Sequence, residues 1–162
     1  MKEGEANSKY CFAAGDIGEN KCLDSGASTT RRASVKLHEA GGSGVTGNLI
    51  VQPNSQGKIR IFGKVYGLEP GTHGFHVHEH GRIGNDCMDA GGHFNPYNTE
   101  DHVGDIGTIF TPEDGPTEVD VVDDVITLGD KGFHDIAGLS IVIHGSRELG
   151  QGKPRVACGI IE

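Results

Sequence analysis

The sequence predicts an all-β fold in which short antiparallel strands wrap into a sandwich or barrel. Three observations lead there. The 162 residues include 27 glycines and no tryptophan, a composition suited to many tight turns and not to long helices. Apolar and polar residues alternate at period two in several short runs. Clusters of Gly, Pro, Asn and Asp separate those runs and supply the turns.

Residues 1–30 are polar, rich in Gly, Ser and Asn, and sustain no period of 2 or 3.6, so they read as an extension. Residues 31–162 read as the folded domain. In 33–38, Ala33, Val35 and Leu37 share one face of a strand, and Ser34, Lys36 and His38 share the other. Strands follow at 45–51 and at 58–66, where Ile59, Ile61 and Gly63 alternate with Lys58, Arg60, Phe62 and Lys64. Gly67-Leu68-Glu69-Pro70-Gly71 makes a turn. A histidine-rich strand follows at 74–80, and after a long connection come strands near 104–110, 118–122, 139–144 and 155–161. Strand order stays open at this point.

The bulk numbers narrow the function. The length fits one domain that buries about two thirds of its unfolded surface. A net charge of −9 argues against nucleic acid, whose backbone demands basic patches, and against a polybasic membrane-surface role. No apolar run approaches the roughly 20 residues a membrane span needs. Cys11, Cys22, Cys87 and Cys158 form an even set without a Cys-x-x-Cys pair. That excludes the usual zinc-ribbon spacing and favours disulfides in an oxidising compartment.

The chemistry concentrates in Gly74-Phe75-His76-Val77-His78-Glu79-His80. On an extended strand His76, His78 and His80 point to one face, and same-face imidazoles suit a metal that prefers nitrogen, copper or zinc above all. Further candidates are His93 in Gly-Gly-His-Phe-Asn-Pro, His102 and Asp105 in His-Val-Gly-Asp-Ile-Gly, and His144 in Ile-Val-Ile-His-Gly. Several of these polar residues interrupt or border apolar, strand-like runs.

Together with Arg155-Val156-Ala157-Cys158-Gly159, these motifs resemble, in order, those of the copper/zinc superoxide dismutase family. The resemblance runs from about residue 33 to the C-terminus. It implies an eight-stranded antiparallel Greek-key barrel, a Cys87–Cys158 disulfide, and copper held by His76, His78, His93 and His144. The reaction implied is dismutation of superoxide to oxygen and hydrogen peroxide. His93 would be the proton carrier and Arg155 would attract and orient the anion. Lys153 and Arg147 read as solvated charges. The competing reading is a non-catalytic copper-binding or structural module on the same fold.

The family's zinc would need the bridging His93, His102, Asp105 and one more histidine between 93 and 102. That interval, Phe94-Asn95-Pro96-Tyr97-Asn98-Thr99-Glu100-Asp101, contains no histidine. It is shorter than the family's loop, as is the segment between His144 and Cys158. The expectation is therefore the copper-only branch, with zinc absent or weakly held and the copper open to solvent. Asp105 is then expected to orient His93, with His102 helping to hold it.

Among the other histidines, His73 reads as a backbone hydrogen-bonder, His80 as a rim residue, and His38 and His134 as surface positions. Cys11 and Cys22 lie outside the family pattern and are expected to pair with each other, which favours an extracellular setting. The Met1-Lys2-Glu3-Gly4 start lacks the apolar stretch of a signal peptide. The expectation is a module of a longer secreted protein, with neighbouring repeats as its partners.

Overall fold

The computed structural model describes residues 10–11, 22–23, 31–146 and 153–162. The chain divides into two units, Met1–Arg31 and Arg32–Glu162. In the first, β1 (Tyr10–Cys11) pairs antiparallel with β2 (Cys22–Leu23), and the backbone register sets Cys11 opposite Cys22. The expected Cys11–Cys22 bridge depends on side chains that lie outside the described residues. Among the described residues no helix is long and apolar enough to cross a membrane.

The second unit contains β3 (Ala33–Glu39), β4 (Thr46–Pro53), β5 (Ile59–Tyr66), β6 (Gly71–His78), β7 (Thr108–Thr111), β8 (Thr117–Asp123), β9 (Ser140–His144) and β10 (Arg155–Ile160). Their order is β7-β6-β9-β10-β3-β4-β5-β8, with every neighbouring pair antiparallel. The neighbours β6–β9, β10–β3 and β5–β8 are not sequential, which marks Greek-key crossovers. The sheet nearly closes on itself. Its two edge strands, β7 and β8, meet where the buried Thr111 and Thr117 hydroxyls bond at 2.6 Å.

Alternation makes the core. Val35 and Leu37, Leu49 and Val51, Ile61 and Val65, Phe75 and Val77, and Ile141 and Ile143 all point inward and are buried. β9 is buried on both faces. Its outward Val142 packs with Ala40, Cys87, Ala90 and Cys158 in a second apolar cluster, beneath the segment that follows β6. The Cys87–Cys158 disulfide, with Cα atoms 5.9 Å apart, fastens that segment to β10. The segment includes one short 3-10 turn, η1 (Met88–Ala90).

Two strands differ most from expectation, each for a physical reason. The strand expected near 104–110 begins only at Thr108. Gly104 and Gly107 lie before it, yet their carbonyls accept from Val77 N (2.9 Å) and Phe75 N (3.2 Å), so they hold β6 without regular pairing. The histidine strand starts earlier, at Gly71, and ends at His78, because beyond it Glu79 N and His80 N turn to the Gly92 and Ala90 carbonyls.

Candidate metal centre

The centre is assembled from strand ends. His76 and His78 come from the end of β6, where they pair with Val142 and Ser140 of β9. His144 ends β9, and His93 forms an isolated bridge with His78. The four imidazoles offer one nitrogen each within 4.8 Å of one another. The His76 and His93 rings are 4.1 Å apart and the His78 and His93 rings 4.8 Å apart. Glycine makes the room: a Cβ on Gly74 would lie 2.9 Å from His76 Cε1.

Backbone and carboxylate acceptors decide which nitrogen His78, His93 and His144 turn inward. His78 Nδ1–H donates to the Gly91 carbonyl at 3.0 Å and His144 Nδ1–H to the Lys153 carbonyl at 3.3 Å. His93 Nδ1–H donates to Asp105 Oδ1 at 2.6 Å. Nε2 is thereby left as the lone-pair donor of all three. In His76 it is Nδ1 that is buried without a partner, as are His78 Nε2 and His144 Nε2. Buried polar atoms are rarely left so. Three orphaned nitrogens converging with a fourth free one fit a metal ion that takes imidazole ligands.

Burial favours the neutral form of His76, His78 and His144. It pushes His78 down to about 3 and His76 to about 4, helped in His76 by repulsion from a protonated His93 or His144. His144 is lowered by the same cause. Neutral imidazole is the ligating form.

Asp105 and His102 lie beside His93. His102 stands edge-on to the His93 ring, 5.4 Å away at 85°. Its Nδ1 is 3.3 Å from Asp105 Oδ2 but not aligned for a hydrogen bond. His93, His102 and Asp105 also form a three-donor group within the same 4.8 Å limit. Arg155 opens β10 directly opposite His144, and a bulge before Ala157 offsets it from the regular register. Its guanidinium donates to the Cys87 carbonyl (2.8 Å) and the Gly91 carbonyl (2.7 Å).

The remaining histidines divide. His73 is buried between the Glu69 and His144 carbonyls, as expected. His80 lies past the end of β6, exposed and 3.9 Å from Glu79, away from the cluster. His38 is exposed. His134 corrects the expectation of a simple surface position: it is half-buried, with Nδ1 on the Val125 carbonyl and Nε2 on the Tyr97 hydroxyl, both at 2.7 Å.

Sequence reasoning also missed Gly91, whose carbonyl serves His78 and Arg155 together. Its φ of +78° and a Cβ position 2.7 Å from Glu79 Oε2 require glycine there. The Gly91-Gly92 pair before His93 was the available signal. Arg147 lies outside the described residues.

Residues 45–161 match the copper/zinc superoxide dismutase (SODC) family. The chain is 43% identical over 123 residues to a Haemonchus contortus protein named extracellular superoxide dismutase [Cu-Zn]. That match takes in 64% of this chain and 66% of the relative, so the chain spans just under two thirds of the relative's length. Among solved structures it resembles the clock protein EA4, with a TM-score of 0.67 and 34% identity, over 86% of this chain and 98% of the other.

Proposed function

We propose that this chain, which belongs to the copper/zinc superoxide dismutase family, converts superoxide to oxygen and hydrogen peroxide with copper held by His76, His78, His93 and His144. The observation that carries the reading is the set of inward nitrogens at those four positions, three of them buried and otherwise unpartnered. Copper, when bound, supplies the one-electron chemistry, taking an electron from one superoxide and giving one to the next.

The chain's own residues attract, orient and supply protons. Arg155 is a permanent cation beside the histidines, fixed by two carbonyls, and it draws the anion in and holds it. His93 would carry a proton at Nε2 to the reduced oxygen species. Two superoxide anions and two protons thus give one oxygen and one peroxide. Asp105 keeps the His93 Nδ1–H bound and the ring oriented throughout.

Zinc is lost or weakly held in this reading. The segment 94–101 has no histidine to complete the set, and structural zinc takes four protein ligands. In this reading His93 Nδ1–H is held by Asp105 at 2.6 Å. An extracellular location is proposed from the name of the nematode relative and from the expected Cys11–Cys22 bridge.

The test is superoxide turnover by protein loaded with copper alone. Fast turnover that needs no added zinc supports the reading. Tight copper binding without turnover would instead make the chain a copper-binding module.

A further inference from the structure

We propose that Tyr97 and His134 are positioning residues for the metal centre: their hydrogen bond pins the 94–101 segment so that His102 stays edge-on against the His93 ring, beside Asp105. The inference rests on the copper reading above and extends it to two residues remote from the histidine cluster.

The segment leaves the site at His93 and returns at His102. Its base is tied by backbone, with Phe94 N donating to the Val77 carbonyl and Gly104 N to the Phe94 carbonyl, both at 2.8 Å. Its middle is folded on itself. Asn98 N bonds the Asn95 carbonyl, the Asn95 amide bonds the Thr99 carbonyl, and the Thr99 hydroxyl bonds the Asp101 carbonyl. Such local bonds give the segment a shape but do not hold it against the barrel.

Among the described residues, the one sequence-distant hydrogen bond made by residues 95–103 is Tyr97 to His134. The Tyr97 ring also meets His134 edge-on at 5.4 Å and Phe133 at 5.9 Å. His134 is itself anchored. With Nδ1–H given to the Val125 carbonyl, Nε2 must accept from the Tyr97 hydroxyl. The His134 carbonyl accepts from Thr127 N at 2.9 Å, which fixes the backbone beneath the ring. The relay therefore runs from the 124–139 connection through His134 and Tyr97 to the segment carrying His102. In a chain without a fourth zinc ligand, this side-chain clamp fastens the segment where a metal would otherwise do so.

The test uses the full chain loaded with copper and compares wild type with Tyr97→Phe, His134→Ala and His134→Gln. Copper affinity by chelator competition and the copper EPR spectrum are the readouts. Tyr97→Phe keeps the half-exposed ring and deletes only the hydroxyl. Affinity is expected to fall about tenfold in Tyr97→Phe and His134→Ala, the low end of what outer partners of ligating histidines carry, with a shifted spectrum. His134→Gln can still donate to Val125 and accept from Tyr97, and should restore the wild-type spectrum. Wild-type affinity and spectrum in both Tyr97→Phe and His134→Ala would overturn the inference and leave the copper reading standing. A lowered melting temperature alone, with the copper readouts unmoved, would mean a merely structural role and overturn it too. A wild-type chain that takes up no copper would overturn the copper reading, and this inference with it.

Discussion

The proton-carrying role proposed for His93 rests on two nitrogens that face different surroundings. Nδ1 is held 2.6 Å from Asp105, while Nε2 faces the other three imidazoles. Removing the carboxylate leaves the ring free to turn. Asp105→Ala should weaken copper binding about 10- to 100-fold, and Asp105→Asn, which keeps an acceptor oxygen, should lose less. Chelator competition measures both, and an unchanged affinity in Asp105→Ala would remove the carboxylate from the account. The buried rings also govern stability without metal. His78 and His76 sit at about 3 and 4 in the folded chain against an ordinary 6.5. The unfolded chain therefore binds protons that the folded chain refuses. Their contribution is complete above pH 6.5 and is lost as pH falls from there toward 4 and 3. The urea midpoint of metal-free protein should fall between pH 7 and pH 5, and His76→Gln/His78→Gln should flatten that slope. These residues were legible in the sequence because alternation sets His76 and His78 on one face and the flanking motifs resemble a known site. The choice of Nε2 in His78, His93 and His144 was not, since it depends on carbonyls and a carboxylate brought in by other elements.

At the scale of elements, the disulfide-tied segment after β6 does for the site what alternation does for the barrel. It covers the outer face of β9 and presents the Cys87 and Gly91 carbonyls to Arg155. Cys87→Ser/Cys158→Ser should cost about 2–5 kcal/mol of stability, the usual toll for a native bridge. It should also lower turnover, because the acceptors of Arg155 loosen. Thermal melts alongside turnover check this, and full activity at a depressed melting temperature would separate the bridge from the arginine. The eight barrel strands were visible in the sequence, several as period-two runs with one face buried and β9 as a continuous apolar run buried on both faces. The irregular pairing of Gly104 and Gly107 was not visible, because their carbonyls hold β6 from outside a regular strand. The contact between Tyr97 and His134 spans 37 residues, and no local pattern announces a pairing of that range.

The whole molecule carries a net charge of −9, so an anionic substrate meets an unfavourable field until a local cation takes over. Arg155, fixed beside the histidines, is the cation proposed for that role. Arg155→Ala should slow superoxide turnover about tenfold, the lower end of electrostatic steering effects, and flatten its dependence on ionic strength. A wild-type salt slope in the variant would exclude steering by this residue. Strand number and class were readable because composition and period agree. Strand order was not readable, since pairing across crossovers leaves no local trace; the family resemblance implied only a Greek-key barrel. The proposed centre works with copper and without zinc. Its most direct test is the metal content per chain after copper and zinc are offered together, followed by superoxide turnover on the same sample. One copper, no zinc and fast turnover is the predicted result. One of each metal would contradict it, showing that His93, His102 and Asp105 still make a zinc site.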